Sequence, residues 1–140
     1  MTRTLPVLSR AALALVFLAS AMGKVADPGG TQEYMAAYGM PLVGLLMWGA
    51  VAFELAGGLS VLLGYRARVG AVLLAAFLVP ATLVFHTDFG DQEQVIQFLK
   101  NLAILGGLGY VAAFGAGPVS LDARAGRAAA SPGAAPAPAL

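Results

Sequence analysis

Four apolar runs, separated by short polar breaks, take up most of this 140-residue chain. They extend from about Ser9 to Val25, Leu42 to Gly64, Val69 to Phe85 and Val95 to Phe114. A helix needs roughly 17–25 predominantly apolar residues to cross a bilayer, so the first and third sit at the short end of that range. Backbone N–H and C=O groups find no water in lipid, and a helix satisfies them within one segment. The pattern predicts an all-α fold, a transmembrane four-helix bundle forming one membrane domain over residues 1–122. Composition agrees: 11% of the residues are charged, where a soluble domain carries about 25%.

The breaks are equally readable. Asp27-Pro28-Gly29-Gly30 signals a turn. Thr31 to Tyr38 suggests a helical turn or two at the interface, where Tyr34 and Tyr38 suit the headgroup zone. Tyr65-Arg66-Ala67-Arg68 is a tight basic connection, and His86 to Gln94 is a polar loop. Residues 123–140 turn to Ala, Pro and Gly, which predicts a disordered cytoplasmic tail.

Charge sets the expected orientation. Arg3, Arg10, Arg66, Arg68, Arg124 and Arg127 fall on one side of a four-span arrangement. Asp27, Glu33, Asp88, Asp91 and Glu93 fall on the other, with only Lys24 and Lys100 near them. The positive-inside rule then places both termini in the cytoplasm. A rival reading of the first run stays open. Arg3, Arg10 and the stretch ending Ala19-Ser20-Ala21 have the layout of a cleavable signal peptide. Cleavage would leave three spans with termini on opposite sides.

Composition also removes several functions. There is no cysteine, which excludes disulfides, a thiol relay and thiolate-bound iron–sulfur centres within the chain. The single histidine excludes a bis-histidine haem inside one subunit and lacks the company of a usual metal site. A net charge of +1 without a basic stripe gives no nucleic-acid footprint.

The polar residues inside the spans are few. Glu54 lies in the second run, where a carboxylate near mid-bilayer costs roughly 2.5–3.5 kcal/mol on insertion scales. Ala50, Gly57 and Gly58 share its helical spacing and would let a neighbouring helix come close. On the fourth run Gln94, Gln97 and Asn101 line one face, with Lys100 beside it. On the third, Thr82 and His86 stand one turn apart after Pro80, which should bend the helix. Counting 1.5 Å per residue, Glu54 sits about 9–10 Å deeper than Lys100. A pair between them needs both side chains extended, or a bridging water or ligand. Lys100 has the alternative of snorkelling to the headgroups. Met47 and Trp48 are expected to be packing residues. Gly106, Gly107 and Gly109 lack the strand and lysine of a phosphate loop and fit close helix packing.

Taken in order, these pieces resemble the DoxX family of small four-span bacterial membrane proteins. The resemblance is carried by Arg10, Phe17-Leu18-Ala19-Ser20-Ala21-Met22-Gly23-Lys24 and Phe53-Glu54-Leu55-Ala56-Gly57-Gly58-Leu59. It continues through Leu63-Gly64-Tyr65-Arg66-Ala67-Arg68, Pro80-Ala81-Thr82, Phe85-His86, Phe98-Leu99-Lys100-Asn101 and Gly117-Pro118-Val119-Ser120-Leu121-Asp122. Where the family often has Ser-Gly before the lysine, this chain has Ala21-Met22-Gly23. The resemblance implies a multi-pass protein of the bacterial inner membrane. It also implies an association with membrane redox complexes, since the family is named from a subunit of a thiosulfate:quinone oxidoreductase.

Three functions follow as expectations. The first is a quinone-linked redox subunit, or an accessory to one, with Glu54, His86 and Lys100 as catalytic candidates. Lys24, Glu54, Thr82, His86, Gln97, Lys100 and Asn101 would then line the quinone site, with no metal ligands. The second is a non-enzymatic anchor or assembly subunit in which the polar cluster is structural, acting with a partner subunit or as a homo-oligomer in the bilayer. The third, a small transporter, has no broken-helix pair to support it. Convergence of Lys24, Glu54, His86, Lys100 and Asn101 on one cavity would favour a ligand site.

Overall fold

The structure, a computed structural model, describes residues 4–130. Among these residues there are six helices and no strands: α1 (Leu5–Ala26), α2 (Pro28–Ala37), α3 (Val43–Leu63), α4 (Ala67–Phe85), α5 (Gln92–Phe114) and α6 (Leu121–Ala130). The helices α1, α3, α4 and α5 are long and apolar enough to cross a membrane. Each predicted run coincides with one of them to within a few residues. Packing follows the chain: α1 lies on α3, α3 on α4 and α4 on α5, while α1 and α5 touch sparingly. The buried core includes Phe17, Val61, Leu74, Leu78 and Leu108. Leu15, Leu45, Leu83, Leu99 and Tyr110 point outward, as lipid-facing residues do.

Lipid tails are as apolar as leucine, so spans associate through close packing and polar links rather than the hydrophobic effect. Gly57 shows the packing. A Cβ there would run into Leu74 and approach the Gly70 carbonyl oxygen at 3.2 Å. Gly58, on the adjacent flank, does the same for Leu18 of α1. The small-residue face of α3 thus serves two neighbours. On α5 the expectation holds only for Gly107, which meets Leu13; nothing lies within 4 Å of a Cβ at Gly106 or Gly109. Met47 is fully buried, but Trp48 is half exposed on the outer surface and packs no core. Pro80 lies inside an unbroken α4.

Two connections differ from the sequence reading. Asp27-Pro28 starts a helix where a turn was expected. The Asp27 carboxylate accepts from the Gly30 N–H at 2.9 Å, and Pro28 takes the first helical position, where its missing N–H costs nothing. The resulting α2 packs beside the first turns of α3, where Gln32 Nε2 donates to Met47 Sδ at 3.9 Å. Beyond Asp122, α6 runs through Ala130 where the composition suggested disorder. Alanine is the strongest helix former, and α6 is alanine-rich. The tail beyond residue 130, and Arg3, lie outside the described residues.

The opposite end of the spans is clasped by Arg10. Its guanidinium is buried and donates to three carbonyl oxygens: Val119 at 2.7 Å, Pro6 at 3.3 Å and Val61 at 3.4 Å. Gly64 turns the chain from α3 to α4 with φ of 66°, and a Cβ there would strike the Arg10 side chain. Asp122 completes the clasp. Its carboxylate accepts from the N–H groups of Arg66 at 2.7 Å and Ala67 at 3.0 Å, capping α4, while its own N–H donates to Gly64 O at 2.8 Å. The start of α1 and the start of α6 therefore meet at one end of the molecule.

Candidate functional site

Glu54 is 2% exposed and does not meet Lys100. Lys24 Nζ donates to both carboxylate oxygens at 3.0 Å and to Ser20 Oγ at 2.6 Å, and Ser20 Oγ donates to Glu54 Oε1 at 2.8 Å. This is the one ion pair among the described residues. The depth count separated Glu54 from Lys100, and Lys24 is the cation reached instead because the spans do not all end in one plane. Ser20 is level with Glu54, and α1 ends six residues further on, about 9 Å. From Glu54 to the start of α3 is eleven residues, about 16 Å. The helix α2 fills the difference, so Lys24 lies low enough to reach back to Glu54.

The α4–α5 pair carries two further links. Asn101 Nδ2 donates to Thr82 Oγ1 at 2.9 Å, and Thr82 Oγ1 donates to Leu78 O at 2.7 Å. One to two turns further along, His86 Nδ1 lies 2.8 Å from Gln94 Oε1. Lys100 is exposed and donates to Gln97 on its own helix, which rules out the long reach to Glu54.

Lys24, Glu54, His86, Lys100 and Asn101 nevertheless line one cavity, of 1140 Å³. Its remaining wall is mostly apolar and aromatic, with Phe17, Leu46, Phe53, Phe77, Phe85 and Ile104 among the lining residues. Thr82 and Gln97 do not line it; they stand behind Asn101 and Lys100 and hold them. The helix α2 roofs the cavity through Gly30, Thr31, Tyr34 and Met35. Ring contacts fasten that roof to α4: Tyr34 stacks on Phe85 with centroids 5.4 Å apart, and Tyr38 meets the same ring edge-on at 5.0 Å. Partial burial, with donation to the Tyr38 hydroxyl at 3.4 Å, pushes the Tyr34 pKa up to about 12.

The wall divides into closed and open groups. Every N–H of the Lys24 ammonium is engaged, so Lys24, Ser20 and Glu54 form a completed staple between α1 and α3. His86 keeps Nε2 free of the Gln94 contact, Lys100 keeps two N–H groups beyond the one it gives Gln97, and Asn101 keeps its side-chain oxygen. Among the described residues no cluster of His, Asp and Glu could hold a metal ion.

Ser20 and Tyr34 were not among the residues expected at the site. Ser20 and Lys24 stand four apart on one face of a span, which is a readable signal. The roofing role of Tyr34 has no local signature.

Comparison with known proteins bears on this geometry. The family model described as DoxX matches residues 5–87. The inner membrane protein YqjF of Escherichia coli (strain K12) is 33% identical over 114 residues, covering 81% of this chain and 86% of that protein. The inner membrane protein YphA of the same organism is 31% identical over 122 residues, covering 84% and 87% respectively. No solved structure matches the chain at a significant level.

Proposed function

The chain belongs to the DoxX family of multi-pass inner-membrane proteins, and on that premise we propose that it serves a quinone-linked membrane redox system, holding the quinone in the cavity beneath α2. One observation carries the reading: Lys24 of α1, Glu54 of α3, His86 at the end of α4, and Lys100 and Asn101 of α5 stand together on the wall of a mostly apolar cavity within the spans. Ligand pockets commonly measure about 300–1,000 Å³, so a cavity of 1140 Å³ has room for a quinone ring and part of its tail.

In this reading the open groups do the binding. Lys100 Nζ donates toward a ring carbonyl oxygen, His86 Nε2 accepts from the hydroxyl of the reduced ring because its Nδ1–H is given to Gln94 Oε1, and Asn101 fixes the ring edge. Glu54 and Lys24 stand opposite as a paired acid and base. Reducing a quinone takes two electrons and two protons. With no cysteine for a thiol relay, a partner subunit delivers the electrons, and this chain supplies the site and the proton route. The arginine-rich end faces the cytoplasm under the positive-inside rule.

Quinone binding and partner-dependent reduction are measured on the purified protein in nanodiscs. Glu54→Gln and His86→Ala should each weaken binding. If both variants bind and turn over like the parent, the proposal fails.

A second reading draws on the completed staple. Because Lys24 has no donor to spare, the Lys24–Glu54 pair also fits an assembly subunit whose polar cluster is glue. A stoichiometric partner recovered with a protein that binds no quinone would decide for it.

A further inference from the structure

The four spans do not close equally around the cavity. Gly58 against Leu18 and the Lys24–Glu54 pair seal α1 to α3. Gly57 against Leu74 and Gly70 joins α3 to α4 toward the Arg10 end, and nearer the cavity α2 bridges the same pair, with Gln32 on Met47 of α3 and Tyr34 and Tyr38 on Phe85 of α4. Two side-chain links, Asn101–Thr82 and His86–Gln94, join α4 to α5. Between α1 and α5 contact is sparse, and the close approach of Leu13 to Gly107 lies toward the Arg10 end. Lys100 is seven residues from Gly107, about 10 Å nearer the α2 end. There α1 and α5 both line the cavity, through Gly23 and Lys24 on one side and Lys100 and Ile104 on the other. Gly23 is exposed, and nothing lies within 4 Å of a Cβ built on it. The aqueous side, by contrast, is roofed by α2, whose Met35 is buried.

We infer that the α2-end half of the α1–α5 seam is a lateral portal, through which the tail of a lipid-soluble ligand reaches the cavity from the bilayer. This rests on the cavity being a ligand site, and it adds the route and the shape of the ligand. The ligand is an amphipath with one polar head and one alkyl or isoprenoid tail. Its head sits between Lys100, Asn101 and the Lys24–Glu54 pair. Its tail passes Gly23 and remains in lipid. A seam opening to lipid keeps that tail out of water, at roughly 0.8 kcal/mol for each methylene so protected. A head group alone has no need of the seam.

Gly23→Phe tests this, because a Cβ at Gly23 meets nothing within 4 Å, which leaves room to add bulk at the seam. Binding of a long-tailed quinone and of the same ring without a tail is measured in nanodiscs. The plug should weaken the long-tailed quinone about tenfold, the loss of roughly two protected methylenes, and leave the tailless ring within about twofold. Equal weakening of both, or of neither, overturns the portal. If the parent protein binds neither quinone, the quinone reading fails, and the portal is judged by a second measurement that needs no quinone. In a Trp48→Phe background, Phe77→Trp places a fluorophore on the cavity wall, in vesicles of brominated phosphatidylglycerol and phosphatidylethanolamine. Acyl chains entering the seam should quench it, and Gly23→Phe should lower that quenching. Quenching that the plug leaves unchanged overturns the portal.

Discussion

The two ends of the molecule treat charge in opposite ways. At the Arg10 end, one guanidinium and one carboxylate answer to the backbone: Arg10 collects three carbonyl oxygens and Asp122 collects two helix N–H groups. At the α2 end, Lys24 and Glu54 answer to each other across two helices, beside a cavity. A charge committed to the backbone can only hold the chain. A pair of side chains on a cavity wall can also exchange partners when something enters. The same few charges thus make a fixed clasp at one end and an adjustable wall at the other.

Removing Arg10 should have the largest effect on stability. Arg10→Ala leaves three carbonyl oxygens without their donor and should cost about 3 kcal/mol, read from thermal unfolding in detergent. Ligand binding at a permissive temperature should survive, and a variant that keeps its stability would break the contrast. At the other end, Glu54→Ala strands the Lys24 ammonium. The cost should be about 2 kcal/mol, below that of a fully buried pair, because Lys24 can swing outward. Adding Lys24→Met should recover about 1 kcal/mol of it, and strict additivity of the two changes would show that the pair is not coupled. Binding should be weakened in both.

Asp122→Ala removes the cap of α4 and should cost about 1 kcal/mol, with no change in cavity binding. The smallest effect is expected at the roof, where the Tyr34 pKa rises from 10.0 to about 12. The folded state holds this proton more tightly than the unfolded chain does. The contribution is therefore fully present below pH 10 and is lost as pH climbs from there toward 12. Tyrosinate absorbance should show a late-titrating tyrosine that disappears in Tyr34→Phe; its persistence in that variant would reassign the shift.

Hydropathy made the spans legible because lipid allows one answer to a long apolar run, and the four helices lie where the runs do. Glu54 was legible as an inward-facing group for the same reason. Its partner was not. The reach from Lys24 depends on where α1 stops relative to α3, and that is set by α2, a helix whose first residues read as a turn. Asp27-Pro28 is a stop signal for the helix before it and a start signal for the helix after it, and local sequence does not say which use prevails. The links Asn101–Thr82 and His86–Gln94 joined residues that were each visible alone, on faces that only packing brings together.

The sequence by itself determined that this chain is a helical membrane protein, which segments cross, and that a carboxylate lies among them. Burial of apolar length and the cost of a charge in lipid are properties of single segments, so they can be read one segment at a time. The tertiary structure decided which cation meets that carboxylate, which residues share the cavity and which seam stays loose. Those depend on the relative heights and contacts of helices far apart in the chain.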